Sequence, residues 1–182
     1  MYPITLVLIA RNEAASIRRC LDSVRPWVNH MLVLDTGSSD DTVRLAQACG
    51  ARVAHFTWID DFAAARNHAL DLAQSAWNLV LDADEWVAEG GPELAALRQV
   101  RPDFVGAIRI DSDFGALGRD ACASSWLSRV LPRGVRYVGR IHEQPVHGME
   151  VRRLALHIGH SGYSPAAMAA KQGRNAALLA RA

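Results

Sequence analysis

Branched apolar residues gather in short runs along this chain, and each early run gives way to a segment with helical spacing. Ile4 to Ala10, ITLVLIA, is apolar apart from one threonine, which predicts a central parallel strand. From about Ala15 to Val24, Ile17, Cys20, Leu21 and Val24 share one helical face, with Arg18, Arg19 and Asp22 off it, and Pro26 ends the helix. Met31 to Leu34 predicts a second strand. Ser39 or Asp40 then caps a helix over about Asp41 to Cys49 that stops at Gly50. Ala51 to Phe56 predicts a third strand. Asp60 or Asp61 caps a longer helix to about Ser75, with Phe62, Ala65, Ala69, Leu72 and Ala73 as its buried stripe. Leu79 to Leu81 predicts the fourth strand. Strand and helix thus alternate three times before residue 85, the pattern of a βαβ series with a parallel sheet and right-handed crossovers.

The second half is less regular. Pro92 to Val100 predicts a short helix, and Val105 to Ile110 a strand. The polar, Gly-rich stretch Asp111 to Asp120 reads as a loop. Ser125 to Leu131 and Val135 to Val138 predict strands around the Pro132-Arg133-Gly134 turn, and Val151 to Ile158 another. A last Ala-rich helix begins at Pro165 with Ser164 as its cap. Its pattern still holds at Ala182, as in a chain cut from a longer one.

Composition narrows the class. The 182 residues are half apolar and 21% charged with a net charge of +1, as in a soluble globular domain. That balance gives no general argument for nucleic acid or an anionic membrane. No apolar run approaches the ~18 residues of a membrane-spanning helix, and MYPITLVLIARNE reads as a first strand rather than a signal peptide. The three cysteines, Cys20, Cys49 and Cys122, show no CxxC spacing and fit a reducing compartment.

Charge placement adds chemistry to this frame. Leu79-Val80-Leu81 runs directly into Asp82, Asp84 and Glu85. Parallel strands present their carboxyl ends together, and ligands bind beyond those ends. Asn12/Glu13, Asp35 and Asp82/Asp84 would therefore line one edge of the sheet. Acids spaced i, i+2 on a strand end face the same way. Hard carboxylate oxygens suit Mg²⁺ or Mn²⁺, ions that often bridge a protein to substrate phosphates.

The motifs then come in a specific order: Ala10-Arg11-Asn12-Glu13, Leu34-Asp35-Thr36-Gly37-Ser38-Ser39-Asp40, Ala65-Arg66-Asn67 and Asp82-Ala83-Asp84-Glu85. Together they resemble the family 2 glycosyltransferases, which have the GT-A fold, an α/β architecture with a mostly parallel central sheet flanked by helices. The resemblance covers roughly the first 90 residues closely. Further on, Tyr137-Val138-Gly139-Arg140-Ile141-His142-Glu143 and His160-Ser161-Gly162-Tyr163 are similar to a bacterial subgroup of lipopolysaccharide-core glucosyltransferase-like and helical-repeat-containing enzymes.

The resemblance implies one GT-A domain, with a nucleotide-sugar-binding half over 1–88, an acceptor half over 89–164 and a C-terminal helix over 165–182. It implies a nucleotide-sugar donor, UDP-linked by expectation, a divalent metal (Mn²⁺ or Mg²⁺) and inversion at the anomeric carbon. Ala10, Arg11, Asn12, Glu13, Asp35, Gly37, Arg66, Asp82, Ala83 and Asp84 would form the donor site. Asp84 would be the direct metal ligand and Asp82 a contact to ribose or sugar. Many relatives carry two consecutive acids where this chain has Asp35 then Thr36, so which group reads the base stays open. Arg66 would place a guanidinium on the diphosphate. His160 would complete the metal sphere, with His157 as the alternative. Inversion requires a base for the acceptor hydroxyl, and Glu143 is the choice, with Asp111 and Asp113 as the fallback. His142 would orient Glu143, bind the donor or be structural. Among Trp58, Trp86, Trp126, Tyr137 and Tyr163 a sugar-stacking platform is expected alongside core residues.

The expected acceptor is a hydroxyl on a glycan, a lipid-linked or lipopolysaccharide core, or a protein, in cell-envelope biosynthesis. The expected location is the cytoplasm, with peripheral contact at the inner membrane face for a lipid-linked acceptor. Two rivals differ in class. A nucleotidyltransferase would show a Gly-rich phosphate loop after the first strand, and ARNEAAS has no glycine. A nucleotide-sugar-binding module without chemistry would not require Asp84 and Glu143.

Overall fold

The computed structural model describes residues 1–113 and 122–161. The expected helix over 165–182, its cap Ser164 and Tyr163 lie outside the described residues, as do the side chains of Asp113 and Cys122. Ten strands and four α-helices are described: β1 (Ile4–Ala10), α1 (Ile17–Val24), β2 (His30–Asp35), α2 (Thr42–Ala48), β3 (Arg52–His55), α3 (Phe62–Ala73), β4 (Trp77–Val80), β5 (Glu85–Glu89), α4 (Gly91–Ala96), β6 (Val105–Asp113), β7 (Cys122–Pro132), β8 (Arg136–Val138), β9 (Gln144–Val146) and β10 (Val151–His160). A short 3₁₀ turn, Leu97–Gln99, follows α4.

The main sheet has the order β3-β2-β1-β4-β7-β6-β10-β5. β1, β2, β3 and β4 are parallel neighbours. β7 is antiparallel to both β4 and β6, β10 is parallel to β6, and β5 runs antiparallel on the far edge. The carboxyl ends of β1, β2, β4, β6 and β10 therefore emerge on one edge, and β5 begins there. The sheet is mixed but mostly parallel, as the patterning implied.

Both faces of the sheet are covered. Leu6 and Leu8 of β1 join Ile17, Leu21 and Val24 of α1 and Leu94 of α4 in one core cluster. Val7, one position out of phase, joins Leu34, Val80 and the α3 residues Ala65, Ala69 and Leu70 in the other. This period-two burial on two faces is why β1 is apolar in both phases.

Several expectations are corrected. The buried face of α3 is Ala63, Ala65, Arg66, Ala69 and Leu70, not the stripe containing Phe62, Leu72 and Ala73, which are partly buried. Arg66 draws inward because carboxylates await it beneath the helix, as described below. β4 starts at Trp77, and fully buried Leu81 continues it by donating its N–H to the Val7 carbonyl. The β6 strand extends through Asp111 to Asp113, so Asp111 is a strand residue. β5, five residues with a glutamate at each end, and β9, three residues, are too short to show in the pattern.

Candidate active site

The polar strand ends converge as expected. Ala10 of β1 and Asp35 of β2 are register partners at the shared edge. Asn12 has a left-handed backbone (φ 57°), and its side-chain oxygen accepts from Ser39 N–H at 2.8 Å. The Ser38 hydroxyl accepts from Asn12 N–H, and Thr42 Oγ1 accepts from Glu13 N–H at 2.7 Å. The loops after β1 and β2 are thus stitched together. Asp35 is buried and spends its carboxylate on the N–H groups of Gly37 and Ser38 and on His55 Nδ1 at 3.4 Å. Gly37 supplies the turn with φ 105°. Asp35, Asn12 and Gly37 shape this loop pair, whereas Ala10, Arg11, Glu13 and Thr36 line the adjoining cavity.

That cavity, about 260 Å³, is also lined by Trp58, Phe62, Arg66, Asp82, Ala83, Asp84, His142 and Glu143. Trp58 and Phe62 form an aromatic wall with edge-to-face centroids 4.8 Å apart. Asp60, with φ 58°, holds the Trp58 indole N–H at 2.8 Å, and Asp61 caps α3 by accepting from Ala64 N–H.

Beneath this wall lies a chain of ionic contacts. Arg66 Nε donates to Glu143 Oε1 at 2.5 Å, and Arg66 Nη2 to Asp82 Oδ1 at 2.6 Å. Its Nη1 is buried with no partner among the described residues. Arg129 Nη2 reaches Asp82 Oδ2 at 3.3 Å and Glu85 Oε1 at 3.5 Å. Glu85 Oε2 accepts from Asp82 N–H at 2.8 Å, and Glu85 N–H donates to the Asp82 carbonyl, closing the 82–85 turn. Burial alone would raise the Asp82 carboxyl, but the Arg66 and Arg129 guanidiniums outweigh it and hold the group well below the usual carboxylate range. Burial pushes Glu85 up, against the opposing pull of Arg129. Burial would lower Arg66, and Asp82, Tyr137 and Glu143 more than reverse it, so its charge is secure.

Asp84 lines the same cavity and also reaches the end of β10. Its Oδ2 lies 3.4 Å from His160 Nε2 at the end of β10, and its carbonyl accepts from Ser161 N–H. Ser112 Oγ sits 3.1 Å from His160 Nδ1. If the serine accepts from Nδ1–H, Nε2 keeps its lone pair toward Asp84, the tautomer a metal ligand needs. A carboxylate and an imidazole suit Mn²⁺ or Mg²⁺ when substrate phosphates supply further oxygens. No cluster of three or more metal-ligating side chains occurs among the described residues, of which Asp84 and His160 would be the pair to hold the ion. His157, the alternative, points instead to Glu89, 3.4 Å away.

Glu143 is held over the cavity by the loop between β8 and β9. Gly139 (φ 97°) and His142 (φ 57°) turn that loop, and the Arg140 carbonyl accepts from Phe62 N–H. Asn67 fastens its base by exchanging two bonds with the Tyr137 backbone, at 2.8 and 2.9 Å. Asp111, the fallback base, is occupied by Arg109 Nε and the Ser124 hydroxyl.

The sequence profile of Glycosyl transferase family 2 matches residues 5–128. The chain belongs to glycosyl transferase family 2. The family 2 domain is 30% identical over 173 residues to the SPbeta prophage-derived glycosyltransferase SunS of Bacillus subtilis, covering 89% of this chain and 40% of that protein. It is 49% identical over 85 residues to a TPR repeat-containing protein of Synechococcus elongatus, covering 47% of this chain and 21% of the relative. The chain thus spans a fifth to two fifths of these relatives. Among solved structures it resembles Mycobacterium tuberculosis glucosyl-3-phosphoglycerate synthase in complex with Mn²⁺, UDP and phosphoglyceric acid. There the TM-score is 0.51 at 26% identity, covering 63% of this chain and 45% of that one. Staphylococcus aureus TarS in complex with UDP shares the fold at TM-score 0.54 and 19% identity, over 62% and 37% of the chains. The GT-A architecture of this family 2 domain follows.

Arg129 and Glu85 were not singled out as functional from sequence. The signal was there for Arg129: a lone charge beside the apolar Val130-Leu131 of a strand.

Proposed function

We propose that this family 2 domain transfers a hexose from a nucleotide-sugar donor, UDP-linked, to an acceptor hydroxyl with inversion at the anomeric carbon. The observation that carries this reading is that Asp84, which His160 approaches from behind, and Glu143 line one cavity, with Arg66 joining Glu143 to Asp82. The solved relative with UDP and Mn²⁺ supports the choice of nucleotide and metal.

Asp84 and His160 would hold a divalent cation whose charge offsets that of the departing diphosphate. Arg11 at the rim adds a cation beside the same oxygens. Arg66 acts indirectly, since Asp82 and Glu143 already occupy its Nε and Nη2, and its fixed charge balances the acids of the cavity floor. Trp58 and Phe62 provide a stacking surface for the base or a sugar.

In the transfer step the acceptor oxygen attacks the anomeric carbon as the bond to the diphosphate breaks. Glu143 takes the hydroxyl proton. With Oε1 given to Arg66, Oε2 would take the proton. The donor half is residues 1–88 and the acceptor half begins after them. A hydroxyl on a glycan, a lipid-linked or lipopolysaccharide core, or a protein fits this chemistry. No helix among the described residues is long and apolar enough to cross a membrane.

A panel of nucleotide sugars with and without Mn²⁺, read by thermal shift and donor hydrolysis, tests the assignment. UDP-sugars with Mn²⁺ should stabilise the domain and be consumed. Full turnover retained by Asp84→Asn would sink it.

A further inference from the structure

We infer that Arg129 is a positioning residue for the transfer reaction: through Asp82 and Glu85 it sets the turn from which Asp84 faces the cavity. This rests on the reading of Asp84 as a donor-site group. Arg129 stands on β7, one residue before Val130, which pairs with Leu79 of β4. It is thus delivered to the β4 end by the one strand that runs against its neighbours at the middle of the sheet. Its side chain is 12% exposed, and a single nitrogen, Nη2, lies between Asp82 Oδ2 and Glu85 Oε1.

The geometry makes the role specific. Engaging Glu85 Oε1 leaves Oε2 to accept from Asp82 N–H, the bond that closes the 82–85 turn. Engaging Asp82 Oδ2 leaves Oδ1 to Arg66. Without Arg129, the buried Glu85 carboxylate and the half-buried Asp82 carboxylate share that turn with one cation fewer, and like charges drive them apart. Asp84, between them in the chain, moves with the turn.

The test compares R129M with R129K in the full chain. Amide hydrogen exchange without ligand reads the turn, and Mn²⁺-dependent UDP binding together with donor KM and kcat reads the consequence. R129M should speed exchange at the Asp82 and Glu85 amides at least tenfold with β1 amides unchanged. It should raise donor KM about tenfold and leave kcat within about threefold. R129K should behave like the parent, because both contacts use one nitrogen. Should R129M fold poorly, R129M/E85Q removes the stranded charge and should keep the binding defect. Turn protection in R129M, or R129K failing as badly as R129M, overturns the proposal. Absent UDP binding by the parent overturns the donor-site reading instead, and the exchange data then still decide the role of Arg129 in the turn.

Discussion

Arg66 Nε and Glu143 Oε1 meet at 2.5 Å across 77 positions of sequence, joining α3 to the loop proposed to carry the base. This contact makes the position of Glu143 depend on a buried guanidinium, not only on its own loop. Glu143→Gln keeps an acceptor for Arg66 but cannot take a proton. Transfer should fall by roughly 10²–10⁴-fold while UDP affinity stays near the parent value. Parallel measurements of transfer and of UDP binding check this, and equal losses in both would remove Glu143 from the base role.

Removing Arg66 should have a different outcome. Arg66→Met strands Asp82 and Glu143, both engaged by its guanidinium, and leaves buried charge uncompensated. Breaking a fully buried pair costs about 3–5 kcal/mol; with Asp82 39% exposed the loss here should fall below that range, at about 2–4 °C in Tm for each kcal/mol in a domain of this size. The double variant R66M/E143Q should recover part of that loss. Thermal melts of the single and double variants give the coupling.

How much of this was legible in the sequence depended on whether a residue's partner was local. β1 and β2 end where their apolar runs meet polar residues, and the Asp82 to Glu85 acids announced the site edge, because strand and turn chemistry are written within a few positions. The Asp84–His160 pair was readable only through the family resemblance, since 76 positions separate the two residues. The burial of Arg66 was not readable: its inward face is set by Asp82 and Glu143, which no helical periodicity contains. Nor was the insertion of β7 between β4 and β6, because strand order is a matter of tertiary pairing and not of pattern. β5 has edge-strand chemistry, short and acidic, which hides it among loops.

Trp58 supplies a test of the aromatic wall. Its ring packs edge-on against Phe62 and its N–H is fixed by Asp60. Base stacking on such a surface is worth about 1–3 kcal/mol by alanine substitution in nucleic-acid sites. Trp58→Ala should therefore weaken UDP binding by roughly 5–150-fold, and binding of a base-free pyrophosphate should be unaffected. Isothermal titration with both ligands separates the two.

Acid should act through Asp82. Its folded carboxyl is held below the unfolded value, so its stabilising contribution is complete above about pH 4, where an unfolded aspartate is ionised, and is lost as pH falls toward the depressed folded value. The parent should lose stability between about pH 4 and pH 2 in urea melts. Asp82→Asn should be less stable at pH 7 and show a shallower acid slope. An unchanged slope in that variant would mean the two arginines do not single out this carboxylate.

The placement of β7 has a consequence for cutting the chain. A break in the turn between β5 and α4 would leave Arg66, Asp82 and Glu85 on one fragment and Arg129 and Glu143 on the other. The contacts of Arg66 with Glu143 and of Arg129 with Asp82 and Glu85 would be split, and the fourth strand would lose its neighbour on one side. Each fragment should be insoluble or molten by itself, and mixing them should restore a folded heterodimer. A replacement for the chain after β5 would therefore have to bring a strand beside β4 that carries a cation to the position of Arg129.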